Sequence, residues 1–115
     1  MEILEIKSLI EKTLDLNKAQ DIVTIDLKKK TYIADYMIIA SGTSSRHIQS
    51  LSEILLTELK KFGIDNCKIE GKDSKEWKLV DALDIIVHIF HPEKRGFYDL
   101  EKMGKEPIPK ENAMI

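Results

Sequence analysis

The sequence predicts an α/β fold: a single domain in which a mixed five-stranded sheet has helices packed against it. Three observations lead there. Met37 to Ala40 and Ile85 to Phe90 are apolar runs, the second interrupted only by His88, which is the pattern of strands covered on both faces. Two longer stretches repeat apolar residues at threes and fours, as helices with one buried stripe do. Two others, Asp21 to Leu27 and Glu76 to Asp81, alternate apolar and polar residues, the period of a half-buried strand.

The elements follow in order. Glu2 to Asn17 predicts a helix whose stripe is Ile3, Ile6, Ile10 and Leu14, with Asn17 suited to end it. Asp21 to Leu27 places Val23, Ile25 and Leu27 on one face and Thr24 and Asp26 on the other. Lys28-Lys29-Lys30 reads as a solvated turn. The apolar strand from Met37 is broken by Ser41-Gly42, and hydroxyl residues Thr43, Ser44 and Ser45 stand where a helix cap belongs. The helix from Ser44 to Phe62 has the stripe Ile48, Leu51, Leu55, Leu59 and Phe62, and Gly63 suits its C-terminal cap. A brief strand at Cys67 to Ile69, a turn at Gly71 to Ser74 and the alternating strand to Asp81 come next. Asp81-Ala82-Leu83-Asp84 makes a tight connection into the second apolar strand. Pro92 opens a last helix with Phe97, Leu100 and Met103 as its apolar side, in which Gly96 costs about 1 kcal/mol against alanine. The order is α-β-β-α-β-β-β-α. One domain spans 1–103, and the proline-containing end, 104–115, is expected to be a disordered tail.

Size and composition narrow the function classes. A chain of 115 residues buries more than ~60% of its unfolded surface, enough for a core without staples. The single cysteine, Cys67, forbids an intrachain disulfide, which fits a reduced, cytoplasmic setting. No apolar run approaches membrane-spanning length, and the N-terminal Met1-Glu2-Ile3-Leu4-Glu5 is acidic where a signal peptide is basic. Eighteen basic and twenty acidic residues, net −2, argue against nucleic-acid binding through a basic surface, though not against a basic protein partner.

Candidate chemistry is sparse. Gly42, Thr43, Ser44 and Arg46 form a turn at a helix start, where bare N–H groups and the helix dipole can hold an anion; the favoured reading is that Gly42 relieves the backbone and Ser44 or Ser45 caps the helix, as at most helix starts. Neither GxGxxG nor GxxxxGK[ST] is present. Asp81 and Asp84 are three apart, not the alternating pair that would aim two carboxylates at one metal ion, and aspartates also make turns. His47, His88 and His91 lack zinc-ligand spacing; His88 and His91 fall on opposite faces of a strand, and His88 reads as a hydrogen-bonded residue on the sheet. No metal, cofactor or paired nucleophile is expected. A surface signal remains. Trp77 and Leu79 share a strand face with Asp81, and five acids (Glu70, Asp73, Glu76, Asp81, Asp84) meet three lysines between positions 70 and 84. An aromatic anchor in an acidic surround suits a basic protein partner, whereas alternation alone favours Trp77 and Leu79 facing the core, since aromatic strand residues are usually buried.

The ordered set Ile33-Ala34-Asp35-Tyr36, Ser41-Gly42-Thr43-Ser44, Arg46-His47, Glu70-Gly71, Trp77, Leu79, Asp84 to His88, Phe90 and Phe97-Tyr98-Asp99-Leu100-Glu101 resembles the ribosomal silencing factors, also called the Iojap or RsfS family. The resemblance spans Ile3 to Met103. It implies a nucleotidyltransferase-like fold without that active site, and therefore no enzyme. It implies binding to the large ribosomal subunit at its joining face, through the universal large-subunit protein numbered fourteen, so that the small subunit cannot join and translation is damped in starvation. Trp77, Leu79, Tyr98, Asp99 and Glu101 match the part of the family that meets the ribosomal protein, and Asp81 adds charge beside them. Family members also self-associate, so a homodimer is implied as possible. Two positions depart from the pattern: Ala82-Leu83 replaces a turn that more often has glycine, and Gly96 replaces a longer polar residue. The rival readings are a nucleotidyltransferase-type enzyme using the Gly42 to Arg46 turn, and a general dimerisation module.

Overall fold

In the computed structural model, residues 2–30, 34–71 and 73–93 are described. Their elements run α1 (Ile3–Leu16), β1 (Gln20–Asp26), β2 (Tyr36–Ser41), α2 (Ser45–Lys61), β3 (Lys68–Glu70), β4 (Trp77–Ala82) and β5 (Ile85–Phe90). The strands form one sheet in the order β1-β2-β5-β4-β3. β2 and β5 are parallel and the other pairs antiparallel, so the sheet is mixed, with its two apolar strands side by side inside it. Both are buried at every position.

Strand alternation divides the interior into two layers. On one face, Tyr36, Ile38 and Ala40 of β2, Val80 and Ala82 of β4, and Ile85, Val87 and Ile89 of β5 meet Ile10 and Leu14 of α1 and Ile48, Leu51, Leu55 and Leu59 of α2. Each fully buried Val, Leu or Ile among them contributes about 1.5–3 kcal/mol. On the other face, Ile25, Leu27, Ala34, Met37, Ile39, Leu79, Ile86 and Phe90 pack together, with Val23 and Trp77 half-buried against them. Among the described residues, no helix contributes to this second cluster.

The elements begin and end where local chemistry dictates. The Glu2 N–H donates to the Glu5 carboxylate (3.3 Å) at the start of α1, and the Asn17 amide donates to the Thr13 carbonyl (2.8 Å) at its end. Lys28 to Lys30 form the expected turn. α2 ends at Lys61 with Phe62 as its cap residue, followed by Gly63 at φ +83°. Phe62 corrects the sequence reading: it is 52% exposed rather than the last member of the stripe, because leaving the helix turns its side chain away from the sheet. β3 begins one residue later than expected, which leaves Cys67 buried just before it, its thiol pKa raised chiefly by that burial. Helical backbone starts at Pro92 and Glu93, and the expected Phe97, Leu100 and Met103 stripe, Gly96 and the 104–115 tail lie outside the described residues.

Candidate functional site

The two candidate regions sit at different places on the sheet. The Gly42 to Arg46 turn joins β2 to α2. There the Gly42 N–H donates to the Phe90 carbonyl (3.0 Å), and the His47 N–H to the Ser44 hydroxyl (3.1 Å). The Thr43 N–H donates to His47 Nδ1 (2.9 Å), and the opposite ring nitrogen lies 2.9 Å from the Asn17 carbonyl. A carbonyl only accepts, so Nε2 carries the proton and the ring ties the start of α2 to the end of α1. Gly42 is required by space: a Cβ there would lie 2.7 Å from Ile48 Cγ1 and 3.1 Å from the Ile48 backbone nitrogen. Ser44 is thus the cap, Ser45 is the first helical residue, and the donors that would cradle an anion at Gly42 and Thr43 are already engaged. Arg46 is exposed and lines a cleft of about 560 Å³ with Gln49, Asp73, Lys75 and Lys78.

Trp77 opens β4, the strand next to the sheet edge. Its N–H donates to the Ser74 hydroxyl (3.2 Å), and the Ser74 N–H to the Gly71 carbonyl (2.9 Å), so a compact turn delivers it. Gly71 has φ +80°, and a Cβ there would lie 2.8 Å from Trp77 Cε3 and 2.9 Å from the Trp77 carbonyl oxygen. Any side chain at 71 would displace the indole.

The indole is half-buried. Its Nε1–H donates to His88 Nδ1 at 3.0 Å, and the two rings stack with centroids 6.1 Å apart at 28°. His88 in turn stacks on Phe90 at 5.7 Å and 4°. Because an indole N–H only donates, His88 Nδ1 accepts and Nε2 carries the proton of the neutral ring. Burial holds His88 neutral by lowering its pKa to about 4, and its Nε2 is buried with no hydrogen-bond partner among the described residues.

The other expected contact residues divide. Leu79 is 5% exposed and sits in the second cluster, so it forms the wall behind Trp77 and corrects its reading as an exposed contact. Asp81 is partly exposed, and its carboxylate accepts the Leu83 N–H (3.1 Å), a turn role as its spacing to Asp84 allowed. Asp84 is exposed and its carbonyl accepts from Asp35 and Tyr36 N–H groups, anchoring the β4–β5 turn against β2. Tyr98, Asp99 and Glu101 lie outside the described residues. Lys78 is buried, its ammonium donating to the Gly71 (2.5 Å) and Ser74 (2.6 Å) carbonyls, which removes one lysine from the surface near Trp77. Glu70, Asp73, Lys75 and Glu76 are exposed in the segment that leads to Trp77. Among the described residues, no three His, Cys, Asp or Glu side chains group as metal ligands. Sequence reasoning missed that His88 is the acceptor for Trp77. A two-residue loop at Leu83-Asp84 fixes the register, setting Trp77 opposite Phe90 and Leu79 opposite His88, and makes Trp77 and His88 diagonal neighbours.

The chain matches the family described as "Ribosomal silencing factor during starvation" over residues 1–113. It belongs to that family. A ribosomal silencing factor from Zymomonas mobilis is 46% identical over 95 residues, 83% of this chain and 71% of the relative. A crystal structure of a Chromobacterium violaceum protein, 38% identical, superposes with a TM-score of 0.87 over 96% of this chain and 92% of that one. A mouse protein named for mitochondrial assembly of the ribosomal large subunit is 36% identical over 88 residues, 74% of this chain and 39% of its own length. The silencing-factor name is that of a regulatory family and not of an enzyme, which sets aside the nucleotidyltransferase-type reading. No described helix is long and apolar enough to cross a membrane.

Proposed function

We propose that this silencing factor binds the large ribosomal subunit at its joining face, through the universal large-subunit protein numbered fourteen, and sterically keeps the small subunit from joining. Repression then needs no bond to be made or broken; an occupied face is sufficient. The observation that carries the reading is family membership, supported by the large subunit in the mouse relative's name. Within the chain, the reading assigns the contact to the start of β4, where a half-exposed tryptophan follows the exposed Asp73 and Glu76, with Glu70 on β3 and Asp81 further along β4. A large aromatic ring in an acidic surround suits a basic partner surface, the ring supplying affinity and the charges steering approach. Tyr98, Asp99 and Glu101 join it on the resemblance. A cytoplasmic location is part of the same proposal.

The experiment is a sucrose gradient of ribosomal subunits with and without the protein. The expected result is comigration with large subunits and a smaller joined fraction. Comigration with small subunits alone overturns the proposal.

A further inference from the structure

His88 has apolar company. Ile39 lies beside it on β2 and Leu79 beside it on β4, while Ile86 and Phe90 flank it on the same face of β5. The ring is 3% exposed. One nitrogen accepts from Trp77, and the other, bearing a proton, meets no acceptor among the described residues. A buried N–H without a partner destabilises the fold, and an aliphatic side chain at this position would avoid that. A group left so in a native structure calls for another explanation.

That explanation lies in what surrounds Trp77. A tryptophan on a strand can rotate about both side-chain bonds. Here the Nε1–H to Nδ1 bond fixes one edge of the indole and the Gly71 backbone closes on the other. Phe90, stacked behind the imidazole, keeps His88 from swinging away. We propose that His88 is a positioning residue that holds the Trp77 indole in the orientation its partner meets. The inference rests on the reading of Trp77 as the partner contact. An anchor ordered in the free protein loses less freedom when the complex forms, so affinity is gained without a new contact. His88 must be neutral to act, because protonation removes the Nδ1 acceptor. Its neighbours Ile39 on β2, Trp77 and Leu79 on β4, and Ile86 and Phe90 on β5 bring no charge, and burial alone keeps its pKa near 4.

The chain has a single tryptophan, so its fluorescence reports on this site alone. His88→Leu removes the acceptor and keeps an apolar side chain; His88→Asn places an oxygen where Nδ1 stood. Time-resolved anisotropy of the full-length protein should show a fast local motion of the indole in His88→Leu that the parent and His88→Asn lack. Cosedimentation with purified large subunits should weaken about tenfold in His88→Leu, the scale of one hydrogen bond, and stay within about threefold of the parent in His88→Asn. A merely structural role predicts instead that both variants melt early and that indole motion follows melting. The proposal is overturned if folded His88→Leu keeps a rigid indole, or binds like the parent while Trp77→Ala does not. If Trp77→Ala itself binds like the parent, the partner reading of Trp77 fails, and the anisotropy still decides whether His88 holds the ring. Should His88→Leu not fold, the same measurements on His88→Phe carry the test.

Discussion

At the start of α2 the polar groups close on one another: Ser44 takes the His47 N–H, His47 takes the Thr43 N–H, and the far side of the same ring reaches the Asn17 carbonyl. At the start of β4 they do not close: Trp77 takes one nitrogen of His88 and the other is left buried without a partner among the described residues. Both regions combine a glycine, a histidine and a residue that singled itself out in the sequence. A turn whose donors are engaged internally is explained by folding alone. A site that leaves a group unsatisfied, and leaves a tryptophan half in solvent, is not.

The comparison breaks most visibly under acid. His88 has a folded pKa near 4, below the usual 6.5, so between these values the unfolded chain binds a proton that the folded chain does not. Stability therefore rises with pH through that window and is lost as pH falls from 6.5 toward 4, by on the order of 3 kcal/mol in total. Urea denaturation at a series of pH values should show this slope in the parent, and His88→Leu should show a shallower one. Equal slopes would mean that His88 titrates normally and that the stack is open to water.

Next in size is Trp77→Ala. A fully buried aromatic costs about 3–5 kcal/mol of folding when truncated, and a half-buried one less. As a partner anchor it should also weaken binding by about 2 kcal/mol or more. A thermal melt beside cosedimentation with large subunits separates the two effects. A variant that binds like the parent would return the start of β4 to the same standing as the α2 turn. Ser44→Ala is the counterpart, expected to cost about 1 kcal/mol of stability and to leave binding intact once folded. Lost binding in a folded Ser44→Ala chain would show that the turn does more than cap.

Much of this contrast was legible in the sequence. Apolar runs without alternation placed β2 and β5 inside the sheet, and the i, i+3, i+4 spacing of Ile48 to Leu59 picked out the buried stripe of α2. Short-range signals of that kind depend only on neighbours along one element. What failed depends on where an element stops or what lies across from it. Phe62 kept the helical period but sits one residue past the last helical turn, and so points to solvent. Leu79 shares a face with Trp77 yet is buried while Trp77 is half-exposed, because it pairs with His88 within the sheet while Trp77 stands at the strand's start. The Trp77–His88 bond needed the β4–β5 register, which was latent in the tight Asp81 to Asp84 connection and follows only once the loop is taken as two residues.

That loop supplies the smallest test. Leu83 has φ +65°, a left-handed conformation in which its Cβ crowds the following carbonyl, at about 1–2 kcal/mol. The Asp81 carboxylate steadies it through the Leu83 N–H, and the side chain is 54% exposed, so no core packing offsets the strain. Leu83→Gly removes the clash but gives the unfolded chain more freedom, about 0.5–1 kcal/mol in the other direction. The balance is a gain of about 0.5 kcal/mol, seen as a melting temperature a few degrees higher. The same loop adjoins the strand that carries Trp77, so it bears on the contrast between the two regions. If the exposed leucine serves only the turn, Leu83→Gly is more stable and cosediments with large subunits like the parent. If it is a second residue kept at this edge against its folding preference, as His88 is, the variant is more stable and binds less well. A Leu83→Gly chain that melts below the parent would show that the left-handed leucine is held by contacts worth more than its strain.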